Sequence, residues 1–170
     1  MSNAEHIEQT LIIFKPDAVQ RGIVGELLTR FERVGLKIVA MKMITPTREQ
    51  FYDHYETIGQ VKTRRGENTL NVVLDFMMEG PVISAVLEGV DAIEVTRKLI
   101  GSTEPKSAAA GSIRGDYCHI SYGRADSTGK GVPNLVHASE SASDAEKEIN
   151  HWFSDSEIFE YETLHERFTR

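Results

Sequence analysis

His137 follows a short apolar pair, Leu135-Val136, and precedes Ala138-Ser139-Glu140-Ser141, where the chain begins to read as a helix. Ser141 with Asp144 three residues on is a capping-box-like pair, and Ser143 with Glu146 offers a second register. Beyond the cap, Ala145, Ile149 and Trp152 recur at the spacing of one buried helical face. Glu148 reads as lying beside that face, from where its carboxylate can turn back toward His137 and Ser139. An imidazole oriented by an acid and a hydroxyl has one ring nitrogen fixed and the other free to react, which is the arrangement of a nucleophile.

A nucleophile aimed at phosphate needs cations. Lys15 ends the first apolar run, Arg97 falls on a helical stretch, and Arg114 precedes Gly115-Asp116. Taken singly, each is most often a solvated surface charge. Arg114-Gly115-Asp116 reads as a turn before a strand, with Arg114 available to a ligand. The stretch from Gly123 to Gly131 is not a phosphate-binding loop, because Gly131 stands where Ser or Thr is required. No Gly-x-Gly-x-x-Gly follows a strand, so a dinucleotide site has no support. None of the six histidines pairs at the spacing of a helical zinc motif.

The elements that must position these groups are readable in outline. Residues 10–14 predict a strand ended by Lys15-Pro16-Asp17, 22–34 a helix stopped at Gly35, and 37–44 a second strand. Thr47 and Gln50 form a capping box opening a helix that contains Phe51, Tyr52 and Tyr55. Residues 59–69 read as an exposed polar excursion, and 70–78 as apolar but ambiguous between helix and strand. Strand 82–87, helix 91–100, a small-residue loop 102–111, a last strand 117–121, a polar loop 125–133 and helix 142–152 complete the pattern. Both a doubly wound parallel sheet and a small antiparallel sheet covered by helices accommodate this order.

With 170 residues, 40% hydrophobic and 26% charged, the chain is expected to form one globular domain, 1–170. Residues 1–7 read as a flexible lead-in and 154–170 as an acidic extension. The net charge is −7, and residues 138–170 hold nine acids against three bases. That balance argues against a nucleic-acid surface and makes the tail a solvated face. The single cysteine, Cys118, reads as a buried strand thiol and agrees with a reducing compartment. No segment approaches the ~18 apolar residues of a membrane span, so a cytoplasmic protein is expected.

Several motifs taken together carry a resemblance. Lys15-Pro16-Asp17-Ala18-Val19-Gln20-Arg21-Gly22, Gly80-Pro81-Val82, Thr96-Arg97, Gly101-Ser102-Thr103, Ser112-Ile113-Arg114-Gly115-Asp116 and Asn134-Leu135-Val136-His137-Ala138-Ser139 occur in the order found in nucleoside diphosphate kinases. From about residue 8 to residue 153 the chain resembles a full-length member of that family. The resemblance implies an α+β fold, a ferredoxin-like four-stranded antiparallel sheet covered by helices. It implies ping-pong transfer of the γ-phosphate of a nucleoside triphosphate such as ATP to a nucleoside diphosphate through a phosphohistidine, with Mg²⁺ on the nucleotide. His137 resembles the nucleophile, and Ser139 and Glu148 the pair that organises it. Arg97 and Thr103 resemble ligands of the inner phosphates, Arg114 and Lys15 those nearer the transferred group. Lys15 and Asn134 resemble ligands of the sugar, and Tyr55 resembles the residue beside the histidine. A homo-oligomer is implied, a hexamer in preference to a tetramer or dimer.

The chain departs from the family at named places. Glu140 stands where Asp is usual, one methylene longer, in the position thought to assist the metal through water. Residues 59–69 exceed the usual connection where the family supplies a base-stacking aromatic. Residues 125–133 are an extra loop ahead of Asn134, and 106–111 lacks a proline that in the family contributes to subunit contacts.

Overall fold

Alternation of buried side chains along two central strands sets the architecture. The structure, a computed structural model, describes residues 6–169. Strand β1 (Ile7–Phe14) is followed by a short helix α1 (Pro16–Gln20), which Pro16 opens without needing an N–H, and by α2 (Val24–Glu32). Strand β2 (Lys37–Ile44) leads to α3 (Arg48–Tyr52), a π-helical stretch at Asp53–Ile58, α4 (Val61–Arg65) and α5 (Glu67–Met77). Then come β3 (Val82–Val90), α6 (Ala92–Ile100), α7 (Ile113–Tyr117), α8 (Tyr122–Thr128), β4 (Val136–Ala138), α9 (Ala142–Trp152) and α10 (Glu166–Thr169).

The four strands form one antiparallel sheet in the order β2-β3-β1-β4, the βαββαβ arrangement of a ferredoxin-like fold. The parallel alternative is thereby removed. Leu11 and Ile13 on β1 face a core with Phe51, Leu74 and Trp152, whereas Ile12 and Phe14 face a second core with Leu27, Phe31 and Ile100. Val136 and Ala138 lie in that second core. His137 between them therefore emerges on the opposite face, toward α9 and the π-helical stretch.

Several expectations are corrected. The last strand is not 117–121: Tyr117 belongs to α7, and the free edge of β1 is taken by Val136–Ala138, with Ile13 paired to His137. Cys118 is consequently a half-buried thiol after a helix, not a strand residue. Arg114 lies inside α7 rather than in a turn. The helix expected over 22–34 begins only at Val24, because Gly22 takes a left-handed φ of 66°. The stretch 70–78 is helical, with Leu70, Leu74 and Met77 buried at helical spacing. Part of the polar loop 125–133 belongs to α8, whose N-cap Ser121 accepts from the Arg124 N–H and whose end is Gly129 at φ 63°.

The acidic tail is more than a solvated face. Glu157 pairs with Lys42 at 2.7 Å, the Phe159 N–H donates to the Val39 carbonyl, and the Tyr161 hydroxyl donates to the Ile38 carbonyl. It runs along the edge strand β2. Of the lead-in expected to be flexible, residues 1–5 lie outside the described residues, and Ile7 pairs with Val90.

Candidate active site

β4 and α9 bring the first group together. The buried stripe of α9 is Ala145, Glu148 and Trp152, so Glu148 sits on the buried face and not beside it as its spacing implied. One carboxylate oxygen takes the Ser139 hydroxyl at 2.6 Å, and the other lies 3.0 Å from His137 Nε2. Ser139 Oγ in turn accepts from the Leu11 N–H at 3.2 Å. Burial pushes the Glu148 pKa up, but the charge and hydrogen bond of His137, then His54 and Ser139, outweigh it and hold the group at about 2. An ionised carboxylate only accepts, so Nε2 carries the proton and the lone pair resides on Nδ1.

A second histidine abuts the first, and no motif in the sequence pointed to it. The π-helical stretch places His54 and Tyr55 side by side at the cleft, a widened turn of the kind frequent at functional sites. His54 stands edge-on to His137, with ring centroids 4.5 Å apart, and its Nδ1 accepts from the Trp152 indole at 3.1 Å. Burial, and then the charge of His137, push its pKa well below the usual imidazole value. The signal that could have found it is the adjacency of His54 and Tyr55 just after a capping box. Tyr55 is also edge-on to His137, at 6.2 Å, and its buried hydroxyl has no hydrogen-bond partner among the described residues.

The cations come from elements distant in sequence. Lys15 Nζ donates to Asn134 Oδ1 at 2.7 Å, and Asn134 Nδ2 donates to the Thr103 carbonyl at 2.9 Å. Arg114 is buried, its guanidinium spread over the carbonyls of Asn134, Gly101 and Val136. Three of its N–H groups are used, which leaves two of the five for a ligand. Burial, reinforced by Arg114, lowers the Lys15 pKa to about 8, and burial lowers that of Arg114 to about 10. Desolvated like charges in one wall are relieved by a polyanion. Gly101, at φ 84°, starts the loop to Thr103 so close to α7 that a Cβ would run into Ser112. The Arg97 carbonyl accepts from the Gly101 N–H at 3.0 Å, while its exposed side chain makes no hydrogen bond or ion pair among the described residues.

All the predicted site residues except Ser139 line one cleft of about 600 Å³; Ser139 lies behind it, supporting Glu148. Arg64, Arg65 and Lys147, which sequence reasoning did not assign, line it too. Glu140 is there as well, but engaged by Arg64 at 3.2 Å.

The backbone just before His137 is strained. Leu135 has φ 69°, and the Val136 N–H bonds back to the Asn134 carbonyl at 2.8 Å, closing a tight γ-turn. The Leu135 N–H donates to Asp17 Oδ2 at 3.1 Å, and its carbonyl accepts from the Lys15 N–H at 2.8 Å. Positive φ at a non-glycine residue costs roughly 1–2 kcal/mol, so the turn depends on these clamps. Asp17→Ala, which orphans a buried N–H, is expected to destabilise by roughly 1–3 kcal/mol, and Asp17→Asn, which keeps an acceptor, by less. Urea unfolding of both variants checks this; equal losses would show that charge rather than the hydrogen bond matters.

The fold and the cleft together define a class: an α+β protein whose ferredoxin-like sheet presents, at its edge strand, a carboxylate-bound imidazole to a cationic cleft. The family profile described as nucleoside diphosphate kinase matches residues 8–158. The nucleoside diphosphate kinase of Borreliella burgdorferi is 43% identical over 91% of this chain and 92% of its own length. That of Pyrococcus furiosus is 44% identical over 91% and 88%. The solved structure of the Borrelia burgdorferi nucleoside-diphosphate kinase, a transition-state mimic with bound vanadate and ADP, superposes with a TM-score of 0.94 at 41% identity, covering 98% of each chain. The chain belongs to the nucleoside diphosphate kinase family and is an enzyme of that family.

Proposed function

We propose that this enzyme moves the γ-phosphate of a nucleoside triphosphate to a nucleoside diphosphate by a ping-pong route, with His137 carrying the group. The observation that carries the reading is the bond from His137 Nε2 to an ionised Glu148, which leaves the Nδ1 lone pair free in a cationic cleft. In the first half-reaction Nδ1 attacks the γ-phosphorus, and the bond to the β-bridging oxygen breaks with its electron pair leaving on the diphosphate. In the second, a terminal β-oxygen of the incoming diphosphate attacks, and the P–N bond returns its pair to Nδ1. Nε2–H stays on Glu148 throughout, so no proton needs to move.

The phosphoryl group passes through a loose transition state with charge on its equatorial oxygens, so fixed cations do most of the work. Lys15 and the two remaining N–H groups of Arg114 serve the transferred group, Tyr55 donates its unpartnered hydroxyl beside it, and Arg97 and Thr103 hold the inner phosphates. Lys15 and Asn134 also hold the sugar.

The family implies Mg²⁺, a hard ion that takes oxygen donors and keeps several waters. The group His54, His137 and Glu148, with donor atoms within 4.8 Å of one another, offers two nitrogens and a carboxylate already hydrogen-bonded, and does not suit it. Glu140 and Asp144 in the cleft wall offer carboxylate oxygens that fit a hydrated ion held on the nucleotide phosphates. Such an ion neutralises phosphate charge. No helix among the described residues is long and apolar enough to cross a membrane, and the cytoplasm is the compartment we assign. A hexameric assembly is supported by the family resemblance alone.

The test is brief incubation with γ-labelled ATP and Mg²⁺. The protein is expected to become labelled in an acid-labile form and to lose the label on addition of dGDP, with parallel-line kinetics. A requirement for both nucleotides at once would contradict the route.

A further inference from the structure

His54 has no part in the transfer chemistry above, yet it stands where it can interfere with it. The Glu148 oxygen that meets His137 Nε2 at 3.0 Å, Oε1, has a second imidazole nitrogen nearby, His54 Nδ1 at 3.9 Å. Two rings therefore face one carboxylate oxygen, and only one of them is the candidate nucleophile. His54 is 1% exposed, and its Nε2 has no hydrogen-bond partner among the described residues.

Trp152 is what separates the two rings. An indole N–H only donates, so its bond to His54 Nδ1 at 3.1 Å requires a lone pair there and puts that ring's proton on Nε2. Without the indole, the opposite tautomer is favoured, because Nδ1–H can then donate to a charged oxygen while Nε2–H has nothing to bond. Closing the 3.9 Å gap draws Oε1 away from His137. The proton of His137 is then no longer held on Nε2, and on Nδ1 it would remove the attacking lone pair. The partners are fixed by their elements: Glu148 and Trp152 lie one turn apart on the buried face of α9, and the π-helical stretch holds His54 edge-on to the indole with centroids 5.7 Å apart.

We propose that the Trp152 indole is a tautomer guard: by occupying His54 Nδ1 it reserves Glu148 for His137 and keeps the His137 lone pair on Nδ1. Trp152 and His54 are thus positioning residues that act through Glu148. This rests on His137 being the nucleophile.

Imidazole nitrogen NMR of the protein carrying ¹⁵N-histidine, read beside the transfer rate near neutral pH, tests the guard. In the parent, His54 and His137 are both expected as Nε2–H tautomers. Trp152→Phe is expected to move His54 to Nδ1–H, to put part of His137 into the Nδ1–H form and to lower transfer about tenfold. Adding His54→Phe to that variant removes the competitor, and is expected to return His137 to Nε2–H and recover most of the lost rate. Loss of packing alone would slow transfer without moving either tautomer. The guard is overturned if His54 of the parent carries Nδ1–H, a result that needs no variant to fold. It is also overturned if Trp152→Phe leaves the His137 tautomer unchanged, or if the double variant does not restore it. In each of those cases His137 stands as the nucleophile as long as the parent takes the acid-labile label and His137→Ala does not. If the parent takes no label, that reading falls and the guard with it.

Discussion

His137→Ala is expected to lower phosphoryl transfer by at least about 10⁴-fold and to abolish the acid-labile label, because the attacking lone pair leaves with the ring. The fold should survive, since β4 is held by its backbone pairing to β1 and by Val136 and Ala138 in the core. Stability is nevertheless expected to drop by roughly 1–3 kcal/mol, because the buried Glu148 loses one of its two hydrogen-bond donors. Transfer measured in both directions, together with thermal melting, checks the pair of outcomes. A variant that keeps more than about one part in a hundred of the transfer rate would place the nucleophile elsewhere.

Glu148→Gln is expected to be the next most damaging change, lowering transfer by about 10²–10³-fold, in the range seen when a fixed tautomer or a preorganised group is lost. The amide has one oxygen and one NH₂ where the carboxylate has two acceptors. If the NH₂ faces His137, Nε2 must accept, the proton moves to Nδ1 and the reactive lone pair is gone. The same substitution reports on stability. Glu148 titrates at about 2 in the folded protein against an ordinary 4.5. A depressed folded pKa stabilises above the unfolded value and is lost as the pH falls through the folded one. The shift corresponds to about 3 kcal/mol, present above pH 4.5 and withdrawn between there and pH 2. Urea unfolding between pH 5 and pH 3 should therefore fall more steeply for the parent than for Glu148→Gln. Parallel profiles would mean that Glu148 is not held ionised by its partners.

These two residues also mark how far local reasoning reached. The caps it named, Thr47 with Gln50 and Ser141 over Asp144, form as read, and β2 is found at the expected bounds. Such signals act within four residues, so they survive in a linear reading. Helix α8 carries signals of the same kind, Ser121 and Gly129, but the polar residues between them read as a loop. By helical spacing Glu148 reads as lying beside the buried face, yet it is buried, where a lone carboxylate is costly. Its burial makes sense only once Ser139 and His137 are known to meet it.

Residue order alone therefore supplied the chemistry: the family motifs, the histidine, the acid and hydroxyl beside it, and the scattered cations. It did not supply the strand that carries the histidine. Val136–Ala138 is three residues long, too short to show a period, and is a strand only because β1 has an edge to offer some 120 residues earlier in the chain. Likewise the approach of Lys15 to Asn134, the spread of Arg114 over three carbonyls, the second imidazole at His54 and the reach of Arg64 to Glu140 follow from sheet pairing and helix packing across the whole chain. Those contacts are set by non-local burial, which no short window of sequence records.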